Sequence, residues 1–66
     1  MQIKVNGEIK QFDAPLSVLG LTERLQLNPR QMAVERNHAV VPRSHYGEIQ
    51  LADGDQIEIV HFIGGG

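Results

Sequence analysis

The sequence has no cysteine and no tryptophan, and its aromatic residues are only Phe12, Tyr46 and Phe62. Without cysteine there is no disulfide framework and no thiolate metal site. Any sulfur the chain carried could not sit on a thiol of its own. No apolar run approaches the roughly 20 residues of a membrane span, and a strand pattern starts at Met1-Gln2-Ile3-Lys4-Val5, so neither membrane nor signal peptide is expected and a cytoplasmic setting fits. Basic residues are few and scattered: Lys4, Lys10, Arg24, Arg30, Arg36 and Arg43, against a formal net charge of -2. That leaves no basic stripe to follow a phosphate backbone, so nucleic acid is excluded as a partner. His38, His45 and His61 lie far apart with no paired ligand spacing, and no metal site is expected.

The familiar catalytic arrangements are missing too. Asp53-Gly54-Asp55 resembles a fragment of a calcium loop. It lacks the alternating oxygen ligands and the distal glutamate of such a loop, and is read as a turn. Ser17 has no acid or base placed to activate it, and a helix cap accounts for it. The glycines near the end have no lysine and no following helix, so they form no phosphate loop. No catalytic residue is assigned; the chain is expected not to be an enzyme.

What is present is a short folded domain. At 66 residues it has one thin core, since a chain of this length buries only about 60% of its unfolded surface. With 41% hydrophobic and 21% charged residues, a globular fold is favoured over disorder. Ile3 and Val5 alternate with Gln2 and Lys4, the period of a half-buried strand. Asn6-Gly7 predicts a tight hairpin turn, because that turn needs positive φ at both central positions. Glu8 to Phe12 reads as the returning strand, broken by Asp13-Ala14-Pro15. Ser17 predicts a helix start, and Val18, Leu21 and Leu25 give one apolar stripe. Gly20 weakens that helix by up to about 1 kcal/mol; it either admits close packing on the sheet or is tolerated. Asn28-Pro29 is expected to end the helix. Met32 to Glu35 reads as a strand, Asn37-His38 as a turn, Ala39 to Val41 as a short strand closed by Pro42, and Gln56 to Phe62 as the last strand. Arg43 to Glu48 reads as polar and irregular apart from Tyr46. The order predicts an α+β roll with one helix across one sheet face.

The informative end is Phe62-Ile63-Gly64-Gly65-Gly66. Glycine has no side chain to bury and loses the most backbone freedom on ordering. A thin glycine thread suits a narrow active site where a Cβ would clash. The expectation is a domain over residues 1–63 and a flexible tail over 64–66. Gly64 and Gly65 would act as a spacer, and the carboxylate of Gly66 would be acted on by other enzymes. A frayed end or a linker is the alternative. On the last strand Ile57 and Ile59 fall on one side, Glu58, Val60 and Phe62 on the other. Val60 and Phe62 are read as a partner-docking patch at the base of the tail, against the alternative of ordinary apolar surface.

These residues together resemble a known family. Ala33-Val34-Glu35-Arg36-Asn37, Val40-Val41-Pro42-Arg43, Leu51 through Val60 and the closing glycines are similar to the ThiS-type sulfur carriers of thiamine biosynthesis, ubiquitin-like β-grasp proteins. Ser17-Val18 with Leu21 and Leu25 fits that family's helix start, while Gly20 departs from its usual polar helix former. The resemblance implies a β-grasp fold with a mixed sheet. It also implies that an adenylating, E1-like enzyme uses ATP to convert Gly66 to an acyl adenylate. A persulfide donor then replaces AMP to leave a thiocarboxylate, which passes sulfur to thiazole synthase. No bound cofactor is implied. Related alternatives are carriers for molybdopterin synthesis or tRNA thiolation; a different class is a β-grasp binding module with no tail chemistry.

Overall fold

The structure is a computed structural model that describes residues 1–62. Strand β1 (Gln2–Val5) turns through Asn6-Gly7 into β2 (Glu8–Gln11). Asn6 and Gly7 have φ of 49° and 84°, the left-handed pair expected of an Asn-Gly hairpin. Helix α1 (Val18–Arg24) follows, then a short 3₁₀ turn at Pro29–Gln31 and the hairpin of β3 (Met32–Arg36) and β4 (Ala39–Val41). Another 3₁₀ turn at Arg43–His45 leads through a loop to β5 (Gln56–His61). The sheet order is β2-β1-β5-β3-β4, so the last strand lies in the middle. It runs parallel to β1 and antiparallel to β3, which makes the sheet mixed.

Alternation along the strands separates two faces. Ile3, Val5, Met32, Val34, Val41, Ile57 and Ile59 point to one side, where they pack with Leu16, Val18, Leu21, Tyr46 and Leu51 in a single buried cluster. The helix lies over this side only. Its first N–H groups all find partners: Val18 donates to the Ile49 carbonyl at 2.9 Å, Leu19 to that of Tyr46 at 2.8 Å, and Gly20 to the Ser17 hydroxyl at 2.9 Å. Donors at a helix start have no intrahelical acceptors, so the loop before β5 completes a cap that Ser17 only begins.

The helix ends earlier than expected. It stops at Arg24, and Asn28-Pro29 instead opens the following 3₁₀ turn, the Asn28 side chain accepting from the Arg30 N–H at 2.9 Å. Gln26 takes φ of 59°, with Leu27 N–H bonded to the Thr22 carbonyl at 2.9 Å and Gln26 N–H to that of Glu23 at 3.1 Å. This reversal is usually made by glycine, and here glutamine adopts it, so the sequence carries no glycine signal for it. At Gly20, an added Cβ would stand 2.9 Å from Cδ1 of Leu16, so the small residue leaves room for Leu16 at the helix start rather than for the sheet. Tyr46, expected in an irregular polar stretch, is 3% exposed and part of the core. Among the described residues no helix is long and apolar enough to cross a membrane.

Candidate functional site

The open sheet face is built by the alternate residues of the same strands. Register places Ala33 opposite Val60, Glu35 opposite Glu58, and Val40 opposite Glu35. Val60 is 56% exposed and Phe62 49%, while Ile57 and Ile59 of the same strand are buried. The N–H of Phe62 donates to the Gln31 carbonyl at 2.9 Å, so the backbone is held by the sheet up to the last described residue. Val40 and Ile9 are also well exposed on this side, Ile9 pairing with Lys4 at the far edge. The face is therefore apolar around Val60 and Phe62 and acidic beside them, where Glu35 and Glu58 meet directly across the ladder. Like charges opposed across a ladder disfavour one another, and a cationic partner group relieves that.

Of the residues singled out in the sequence, Val60 and Phe62 share this face with the expected orientation. Gly64, Gly65, Gly66 and the boundary between domain and tail lie outside the described residues.

Behind the face, β5 is fixed at both ends. Asp55, just before the strand, is 6% exposed. Its Oδ2 accepts from Arg36 Nε at 2.9 Å and from the Ala52 N–H at 2.8 Å, and its Oδ1 from Asn37 Nδ2 at 3.1 Å. Burial alone would raise the carboxyl's pKa. The Ala52 N–H, the Arg36 side chain and charge, and the Asn37 amide outweigh it and hold the group below the usual aspartate value. Later in the strand, Asn6 holds Ile59: the Ile59 N–H donates to Asn6 Oδ1 at 2.7 Å, and Asn6 Nδ2 donates to the Ile59 carbonyl at 3.2 Å. Local sequence marks Asp55 and Asn6 only as turn residues. The signal available for Asp55 was an acid in a turn together with Arg36-Asn37 leaving a strand. Its pairing needs the tertiary fold.

Among the described residues no cluster of three or more His, Cys, Asp or Glu could hold a metal. A shallow open cleft lined by Met1, Gln11, Phe12, Asp13 and Arg24 brings no nucleophile and base together. What the described residues present is an exposed apolar face on a last strand held by hydrogen bonds to its neighbours.

Comparison with known proteins fits that picture. The model of the ThiS family matches residues 3–66. A thiazole synthase of Paramagnetospirillum magneticum is 46% identical over 100% of this chain, which covers 20% of that protein. The chain thus spans about a fifth of the length of the thiazole synthases it matches. The sulfur carrier protein ThiS of Bacillus subtilis is 37% identical over 97% of this chain and 98% of its own length. A crystal structure of a thiamine biosynthesis protein (ThiS) from Geobacter metallireducens is 32% identical, covers 100% of both chains and superposes with a TM-score of 0.85. The mixed sheet with one helix is therefore the β-grasp fold of that structure. With the family model covering almost all of its residues and a carrier of its own length beside it, the chain belongs to the ThiS family.

Proposed function

We propose that this chain is a sulfur carrier for thiazole formation in thiamine biosynthesis, a protein acted upon rather than a catalyst. The observation that carries the reading is the match to the ThiS family over residues 3–66, which takes in the glycine end as well as the folded part. On this reading the Gly66 carboxylate is the reacting group. A carboxylate is a poor electrophile, so an adenylating enzyme activates it with ATP. The terminal sulfur of a persulfide donor then displaces AMP to give an acyl disulfide, and a thiol cleaves its S–S bond, leaving a thiocarboxylate on Gly66 and a disulfide on the donor side. Thiazole synthase takes the sulfur. The partner is supported by relatives in which a segment similar to this whole chain forms part of a thiazole synthase. A cytoplasmic setting, with ATP and reduced sulfur donors at hand, goes with this chemistry.

The exposed face gives the carrier its handle. Val60 and Phe62 dock on the partner, and Glu35 and Glu58 select one that presents basic side chains. Gly64 and Gly65 let the end pass through a narrow channel; fully extended, three residues reach about 10 Å. The test is intact mass after incubation with ATP, a persulfide donor, a thiol reductant and the adenylating enzyme. One oxygen should be exchanged for sulfur, localised to the C-terminal peptide, and lost again on addition of thiazole synthase with its substrates. Sulfur on an internal residue, or none with a competent enzyme, sinks the mechanism. Transfer only to a molybdopterin or tRNA-thiolating acceptor would move the chain to another pathway.

A further inference from the structure

The hairpin residue that latches β5 is also the chain's most chemically exposed amide. Of the asparagines, Asn28 precedes proline, Asn37 precedes histidine and Asn6 precedes glycine. Asparagine side chains deamidate when the next residue's backbone nitrogen attacks the side-chain carbonyl carbon. Proline has no N–H to react in this way, and a Cβ on the following residue hinders the approach. Glycine offers no such obstacle. Asn6 and Gly7 are both exposed at the turn, and nothing lies within 4 Å of the place where a Gly7 Cβ would stand. The site is open to solvent and base. Its side chain, however, is engaged on both polar atoms by the backbone of Ile59.

We propose that Asn6 is a deamidation site gated by its own latch on Ile59, and that conversion frees the later part of β5 from the hairpin. The reaction needs only water. Base removes the Gly7 N–H proton, the nitrogen forms a bond to Asn6 Cγ, and the Cγ–Nδ2 bond breaks. Nδ2 leaves as ammonia with the proton that balances it. Water then opens the cyclic imide. Attack at the Cγ carbonyl gives aspartate; attack at the backbone carbonyl gives isoaspartate, with the chain rerouted through the side chain. While the latch is closed, Nδ2 and Oδ1 are held on β5, and ring closure must wait for the side chain to release and turn toward Gly7. Either product lacks Nδ2, the atom that donates to the Ile59 carbonyl, and puts a negative charge against that oxygen. Ile59 directly precedes Val60, His61 and Phe62, so the change reaches the base of the docking face. The inference stands independently of the sulfur-carrier reading.

The experiment incubates the full chain at mildly alkaline pH, folded and in guanidinium chloride, and follows the exchange of NH for O by intact mass and peptide mapping. Conversion should localise to Asn6 and run at least about tenfold slower in the folded protein, the retardation expected from opening two hydrogen bonds first. Hydrogen exchange on the converted protein should show loss of protection at the Ile59 amide, with the Ile57 amide less affected. Asn6→Asp, made directly, should show the same loss. Equal rates in the two states overturn the gating, and conversion mainly at Asn37 overturns the site. Retained Ile59 protection after conversion overturns the latch. If Asn6→Asp does not fold, the rates of the unsubstituted chain still decide the proposal.

Discussion

Asp55→Asn tests whether the start of the last strand depends on a buried carboxylate. In the native structure one carboxylate serves three donors on separate segments: Arg36 at the end of β3, Asn37 in the β3–β4 turn and the Ala52 N–H in the preceding loop. Asparagine keeps one acceptor oxygen but turns an NH₂ toward donors and removes the charge paired with Arg36. Hydrogen bonds to charged groups contribute about 1.5–3 kcal/mol and ordinary ones about 1 kcal/mol. The Arg36 side chain is 32% exposed, so water recovers part of its loss. The summed cost is about 2–4 kcal/mol, a large share of the total for so short a chain, which at about 0.05–0.15 kcal/mol per residue is about 3–10 kcal/mol. Urea melts at neutral pH should show a lower midpoint with an unchanged slope. The pH dependence supplies the second check. Asp55 is held below its ordinary value of 3.8, so its stabilisation is fully present above the unfolded pKa and is lost as pH falls through the lower folded one. The gap between native protein and variant should therefore be widest near neutrality and shrink below about pH 4. A variant within about 0.5 kcal/mol of the native protein at pH 7 refutes the clamp, as does a gap that persists undiminished into acid.

The tail and the open face give opposite signatures to that of Asp55. Gly65→Val should abolish adenylation without moving the thermal melt; a strongly shifted melt would make the tail structural, and undiminished adenylation would make it a mere spacer. Phe62→Ala should lower stability by no more than about 1 kcal/mol, because its ring is half exposed, whereas truncating a buried aromatic costs about 3–5 kcal/mol. Pull-down with the adenylating enzyme should weaken for Phe62→Ala and for Val60→Asp, and unimpaired binding by both would remove the docking patch. Ser17→Ala should cost about 1 kcal/mol in a urea melt, the usual value of a helix cap; a silent result would show that the carbonyls of Tyr46 and Ile49 hold the helix start alone.

Much of the framework was written in local signals, and the exceptions have physical causes. Asn6-Gly7 announced its turn because glycine and asparagine alone enter the left-handed region cheaply. The period-2 pattern of β5 correctly separated Ile57 and Ile59 from Val60 and Phe62. The helix end escaped because Gln26 makes a left-handed turn that the sequence gives no reason to expect, while Asn28-Pro29 offered a more obvious stop. Tyr46 escaped because its neighbours are polar; what buries it is the docking of its loop on the start of α1, a contact between distant segments. Asp55 and Asn6 look like turn residues because that is their local role, and only the assembled sheet shows them fastening the two halves of β5. The same limit applies to the most useful fact about the candidate site. Alternation tells which side chains of β5 point outward, but not that this strand lies between β1 and β3. That central place has a consequence for function. A tail continuing from an edge strand would start from backbone free to fray, whereas Phe62 is held to Gln31 and Ile59 to Asn6. On the proposed reading, a partner docking on Val60 and Phe62 meets backbone held at the centre of the sheet rather than at a fraying edge.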